Sequence, residues 1–559
     1  MPKLKLLVIG LDGATYDLIK PWAEQGLLPT MHKLLAEGTA GELRSTVPPM
    51  TGPAWTTFMT GKNPGQHGIY DWIYRHKDSY DVSPTTAKQC LDATIWSLLS
   101  DAGRRVCVFN VPMTYPPKPV NGLMISGMPA PSTKVTITYP PTLLAEIEQE
   151  VGAYLLYPDP GQAYSDAGVD AFLDRLYRTT ETRLKVLEHL RGREDWDFFM
   201  LVFNGTDTVQ HAMWKHMSPK HPLHDPTRFA KYGDAILRYF QFVDKALGEI
   251  VAGLDENTVL MLMSDHGFGP FHKFIHVNNW LRKHGWLKIK RSPKAALKAA
   301  LFNLGFAPMK VYNMLMAFGL GALKREVVRG KGQGMLKTLF LSFDDVDWPR
   351  TVAYSLGNVG QIRLNVRGRE PQGCVDPAEY EPVREQIIAR LWELRDPKTG
   401  EKVVQEVYRR EEIYHGQHLD QAADIVFIPT RMEYFGFGEY EFGSNEIVES
   451  MKRGISGTHR PNGMFLMWGK PVKSGVWLQG AALPDLAPTI LHVMGEAVPA
   501  DMDGHVLTEA LQPEYLAAQT PSQPASPNGQ LYATTVNEDL SEEDAEIITE
   551  RLRDLGYVG

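Results

Sequence analysis

Seven residues spread over most of the chain carry the side chains of a metal-assisted reaction: Asp12, Thr51, Asp207, His211, Asp265, His266 and His459. Carboxylates and imidazoles suit zinc, and also manganese, while a threonine hydroxyl becomes a useful nucleophile only when a base or a metal activates it. Four of these residues follow apolar runs of strand length, at three places in the chain. Asp12 comes after LLVIG, Asp207 after FFMLVF, and the Asp265-His266 pair after VLMLM. Groups just past the carboxyl ends of buried strands are where an open α/β sheet builds its site.

Singly, each of the seven has an ordinary explanation. Asp207 and His211 are four apart and share one helix face, whereas His216 would point almost the opposite way; such a pair is usually a surface hydrogen bond. Thr51 opens TGPAWTTFMTG, where Pro53 favours a first helical turn and sets the hydroxyl at a positive helix end that collects anions. In isolation it would be an N-cap. Asp265 and His266 can both reach one metal from a turn but cannot form a nucleophilic triad with Ser264. His459, ahead of the strand GMFLMWG, would by itself be structural. Their joint occurrence favours the chemical reading.

The elements that must position these groups alternate short apolar runs with helical patterns through residues 1–285, among them a strand at 105–111 and a helix at 170–190. That alternation predicts βαβ units and a mainly parallel sheet. From residue 345, TVAYSL, QIRLNV and DIVFIP, with a helix at 382–395, read as a return to that sheet, and a helix at 485–494 closes the core. The expected organisation is a catalytic core of 1–285 and 345–510, an insertion at 286–344, a Pro/Ser-rich linker at 519–530 and a helical tail at 531–559. Ser541 and Asp544 would cap the tail helix, which carries Ile547, Ile548, Leu552 and Leu555.

Composition narrows the class. With 559 residues, 43% of them hydrophobic, and a mean hydropathy of -0.25, the chain predicts a globular protein with a large core and a second lobe or insertion. Three cysteines without CxxC spacing suggest neither a disulfide framework nor a thiolate zinc site. No apolar stretch approaches a membrane span, and the first residues lead directly into a strand, so a cytoplasmic location is expected. A net charge of -8 argues against a nucleic-acid partner. Residues 288–337 reverse that charge, with eleven Lys/Arg against the single acid Glu326. Peripheral membrane contact through this basic stretch is one reading; a cap over the active site is preferred. The segment GKN lacks the spacing of a P-loop.

In order and spacing, these motifs resemble the alkaline phosphatase superfamily, in its type I phosphodiesterase/nucleotide pyrophosphatase branch, over residues 3–507. The carriers are Asp12, Thr51 with Pro53 and Thr60-Gly61, Asp207 with His211, Asp265-His266-Gly267, and Gly457 with His459. TVPPMTGPAWTTFMTGKNPGQHGIYDW, TDTVQHAMW, SDHGFGPFHKFIHVN and SGTHRPNGMF look like a bacterial group of predicted phosphohydrolases or phosphomutases. The resemblance implies a three-layer α/β sandwich with a mainly parallel central sheet and a helical cap insertion. It implies two divalent metals, zinc first and manganese second, with Asp207, His211 and His459 on one, and Asp12, Asp265, His266 and the Thr51 oxygen on the other. The implied activity is hydrolysis of a small-molecule phosphate ester through a phosphothreonine on Thr51. A phosphomutase or phosphotransferase on the same core, or a non-catalytic metal-dependent binding protein, are the alternatives. One departure bears on substrate: the pyrophosphatases' phosphoryl-binding Asn is Ala54 here, with Lys273 and Arg460 as candidate replacements. The sulfatase branch is disfavoured by Thr51 itself and by Trp55 in place of its Arg.

Overall fold

In a computed structural model of the protein, residues 3–158, 168–193, 195–308, 310–311, 338–438, 442–452, 454–519 and 540–554 are described. The apolar runs become the middle of one large sheet. Its strands are β1 (Lys5–Leu11), β2 (Thr39–Arg44), β3 (Val106–Val111), β4 (Gly122–Ser126), β5 (Thr138–Tyr139), β6 (Phe198–Phe203), β7 (Thr258–Met263), β8 (Asn462–Trp468) and β9 (Val476–Leu478). They pair in the order β9-β2-β8-β7-β1-β6-β3-β4-β5. The centre, β7-β1-β6-β3-β4, is parallel, while β8 runs antiparallel between β7 and β2.

All residues of β3, β6 and β7 are buried. A parallel sheet covered on both faces requires this, and it explains why these strands read as unbroken apolar runs. Register then sets the site. Leu11 stands opposite Phe203, and Gly10 opposite Met263, so β1, β6 and β7 end nearly level and their loops bring Asp12, Asp207 and Asp265 to one sheet edge.

The expected return to the sheet after residue 345 occurs only at β8 and β9. Ala353–Ser355, Gln361–Leu364, Val404–Arg409 and Ile425–Pro429 instead form a separate four-stranded antiparallel sheet. That sheet has its own core, including Trp280, Tyr354, Ile362, Leu391 and Phe427. A strand's apolar pattern decides which of its faces is buried, not which sheet it joins.

Of the basic stretch, the helix Pro293–Asn303 is capped by Ser292, whose Oγ accepts from Ala295 N at 3.3 Å. Lys298 turns inward to Asp345 at 2.9 Å, while Leu297, Leu301 and Leu304 are exposed. From residue 312 to 337 the stretch lies outside the described residues, as does the linker from 520. The tail helix Glu542–Asp554 begins where expected: Ser541 Oγ accepts from Asp544 N at 3.1 Å, and Ile548 and Leu552 are buried in the main core. Among the described residues, no helix is long and apolar enough to cross a membrane.

Candidate active site

Thr51 is the first residue of the helix Thr51–Thr60, preceded by an extended Met50 and closed by Gly61 at φ 69°. Gly61 N donates to Thr57 O at 2.9 Å, the left-handed stop that glycine makes easiest. The Thr51 hydroxyl therefore sits at the end whose first-turn N–H groups have no helical partner. It is 1% exposed, and its Oγ1 stands 3.2 Å from His266 Nε2. One turn further, Trp55 passes beneath β1 at Gly10, where a Cβ would come within 2.5 Å of the indole. Trp55 Nε1 donates to Asp12 Oδ2 at 3.3 Å. The sequence reading gave Trp55 no part in the site; its place one helical turn from Thr51 was the available signal.

The three imidazoles are held in the same manner. His211 Nδ1 lies 2.8 Å from Gly457 O, His459 Nδ1 3.0 Å from Pro49 O, and His266 Nδ1 3.1 Å from Gly267 O. A carbonyl only accepts, so each Nδ1 carries the proton and each Nε2 presents a lone pair to the cluster. Yet those lone pairs face other acceptors. His211 Nε2 and His459 Nε2 are 3.2 Å apart, and both face Asp207 Oδ1, at 3.3 and 3.4 Å. His266 Nε2 lies 3.2 Å from Asp265 Oδ2 and 3.8 Å from Asp12 Oδ1. Those two carboxylate oxygens are buried, and the Asp12 and Asp265 carboxyls lie close enough to share a proton.

Acceptors converging on acceptors in a dry volume repel unless a cation lies among them. Two donor groups meet that need, Asp207/His211/His459 and Asp12/Asp207/His266, with ligand atoms within 4.8 Å of one another in each. Asp207 stands in both groups, whereas the resemblance assigned it to the first alone. Asp265 adjoins the second group through Oδ2, with its Oδ1 accepting from Gly13 N at 3.2 Å. The nitrogen and oxygen donors, without a thiolate, fit zinc or manganese.

Protonation tells the same story. Burial, reinforced by Asp265 and Asp207, raises the Asp12 carboxyl well above its ordinary range. Burial and the Asp207 charge push Asp265 up to about 7. For Asp207, burial also opposes ionisation, and its carboxyl is held low only when the facing Nε2 atoms of His211 and His459 are protonated or a cation takes the place of those protons. Burial lowers the pKa of His459 and lowers that of His266 well below its ordinary value, favouring the neutral imidazoles.

A carboxyl whose folded-state pKa is raised stabilises the protein fully below its unfolded value of about 4, and that contribution is lost as pH rises through about 7. The Tm of chelated protein is therefore expected to fall across this window, and Asp265→Asn to flatten the fall. Zinc or manganese should raise the Tm most above about pH 7. A series of melts with and without metal checks both.

The remaining candidates serve elsewhere. Ser264 Oγ donates to Ala14 O and accepts from Met464 N, both at 2.8 Å. His216 packs against Tyr232, with ring centroids 5.5 Å apart. Lys273 pairs with Asp396, and Arg460 donates to the carbonyls of Met432 and Pro270 at 2.9 and 2.6 Å. Both side chains are thus engaged with other partners. All seven predicted site residues, by contrast, come together.

The family model described as type I phosphodiesterase/nucleotide pyrophosphatase matches residues 6–447. His459, beyond that span, joins the cluster through the antiparallel pairing of Gly457–Arg460 with Gly267–Pro270. No curated protein matches the chain. Among solved structures, phosphonoacetate hydrolase from Sinorhizobium meliloti 1021 in complex with phosphonoformate is 16% identical, with a TM-score of 0.51 over 87% of this chain and 94% of that one. Human ectonucleotide pyrophosphatase/phosphodiesterase 5 is 14% identical, with a TM-score of 0.46 over 90% and 98%. At such identity the first likeness speaks to the fold.

Proposed function

Because the chain belongs to the type I phosphodiesterase/nucleotide pyrophosphatase family, and so to the hydrolases of phosphoric ester bonds, we propose that it cleaves a small-molecule phosphodiester through a covalent phosphothreonine on Thr51. The observation that carries this reading is the convergence of six Asp and His donors, from separate segments, around one buried hydroxyl at a helix start. Asp207, His211, His459, Asp12, Asp265 and His266 would hold two divalent cations, zinc being preferred over manganese. Bound there, the metals would neutralise charge on the phosphoryl oxygens and favour the ionised form of the Thr51 hydroxyl.

The chain's own residues supply the rest. The helix fixes Thr51 Oγ1, and Trp55 and Gly13 fix the carboxylates of Asp12 and Asp265, so little reorganisation accompanies attack. Thr51 Oγ bonds to phosphorus as the ester oxygen departs. Water then displaces Thr51 from phosphorus, returning the free hydroxyl.

A screen of zinc- and manganese-loaded protein against aryl phosphodiesters, aryl phosphomonoesters, nucleotides and phospholipid head groups tests the assignment. Aryl phosphodiesters should turn over with the higher kcat/KM of the two aryl classes. Turnover of monoesters alone would overturn the diester reading, and transfer only to an added alcohol would favour a phosphotransferase.

A further inference from the structure

Beside the metal cluster, the same sheet edge holds a second buried polar group that the chemistry above does not use. Arg183, on the helix Val169–Arg193, is 0% exposed. Its guanidinium donates to Leu156 O at 2.7 Å and to Asn204 Oδ1, while Nε has no partner. Among the described residues, no carboxylate pairs with it. Its surroundings are incompletely satisfied too. Tyr154 and Tyr157 are 4% and 7% exposed, and the Arg183 guanidinium lies close enough to the Tyr154 hydroxyl to hydrogen-bond it, while Asn110 Oδ1, near the end of β3, has no hydrogen-bond partner among the described residues. A second cation, Arg551 of the tail helix, lies 4.4 Å over the Tyr157 ring and donates to Ala130 O at 2.6 Å.

The connections place this group next to the reaction centre. Asn204 immediately precedes the helix Gly205–Met217 that carries Asp207 and His211. Asn110 lies near the end of β3, in the left-handed region at φ 60°, and donates to Val202 O of β6 at 2.7 Å. A guanidinium removed from water without a counter-charge is costly, and so is each unmade hydrogen bond around it. An anionic group with several acceptor oxygens would relieve both.

We propose that Arg183, with Tyr154, Tyr157 and Asn110, forms a subsite for a second anionic group, a phosphate or carboxylate, on the phosphoester substrate. The proposal rests on the phosphoester reading above and narrows it: the preferred substrate carries one anion for the metal cluster and another, tethered to it, for Arg183.

Calorimetric titration of the zinc-loaded protein tests this without turnover. The probes are α,ω-alkanediphosphonates of increasing length, each paired with the alkylphosphonate of equal length. At one length the diphosphonate should bind at least about tenfold more tightly, the worth of one charge-assisted contact. Arg183→Met should reduce that ratio to within about twofold, and Arg183→Lys should retain part of it. A merely structural Arg183 would weaken both ligands alike and leave the ratio unchanged, which would overturn the subsite. Should Arg183→Met fail to fold, the wild-type series decides, since no preference at any length also overturns it. If free sulfate tightens alkylphosphonate binding as much as tethering does, the site serves a free anion and the substrate assignment falls. Failure of the catalytic reading registers separately, as inactivity on aryl phosphodiesters.

Discussion

Thr51→Ala is expected to lower kcat on an aryl phosphodiester by at least about three orders of magnitude, the scale of removing a covalent nucleophile. Its metal content should remain near that of the wild type. Thr51 sits 3.2 Å from His266 Nε2, but the six Asp and His donors do not depend on its oxygen for their positions. His211, His459 and His266 are held by backbone carbonyls, and Asp12 by Trp55. Thr51→Ser keeps an Oγ at the helix start and should retain much of the rate. Steady-state kinetics with elemental analysis of both variants checks the pair. Substantial turnover by Thr51→Ala would mean that water attacks phosphorus directly.

The second large effect is loss of the metals. Chelated protein should be inactive, and zinc or manganese should restore it, because His211 Nε2 and His459 Nε2 face one another at 3.2 Å beside the buried carboxylates of Asp207, Asp12 and Asp265, a donor set that a divalent cation satisfies. Since Asp207 stands in both donor groups, Asp207→Ala should lower the occupancy of both sites. His459→Ala should empty chiefly one and Asp12→Ala chiefly the other. Equal loss of both metals in all three variants would show that the sites fill cooperatively; absence of bound metal in the active wild type would sink the assignment.

Much of this was legible in the sequence because buried parallel strands are nearly pure apolar runs, so their carboxyl ends mark themselves. Asp12, Asp207 and Asp265 each follow such a run, and the level register of β1, β6 and β7 turns that one-dimensional pattern into a site. The spacing of Asp207 and His211 likewise survives folding, since helix geometry is local. Long-range pairing is not local. That Gly457–Arg460 joins Gly267–Pro270, bringing His459 to His211, depends on a ladder between segments far apart in the chain. The separate sheet of Ala353–Ser355 and its neighbours was misread for the same reason. Trp55 and Arg183 were missed because an indole N–H on a carboxylate, and a buried guanidinium with no carboxylate partner among the described residues, are properties of packing, invisible in composition or period.

The central claim is a phosphoryl group carried by Thr51, and rapid acid quench of a single turnover tests it most directly. Zinc-loaded protein in excess of an aryl phosphodiester should release the phenolate in a burst. Peptide mass spectrometry of the quenched enzyme should then find phosphate on Thr51 in proportion to that burst, decaying at the rate at which the phosphorylated product appears. Full release of both products, with no burst and Thr51 unmodified at every quench time, would contradict the account.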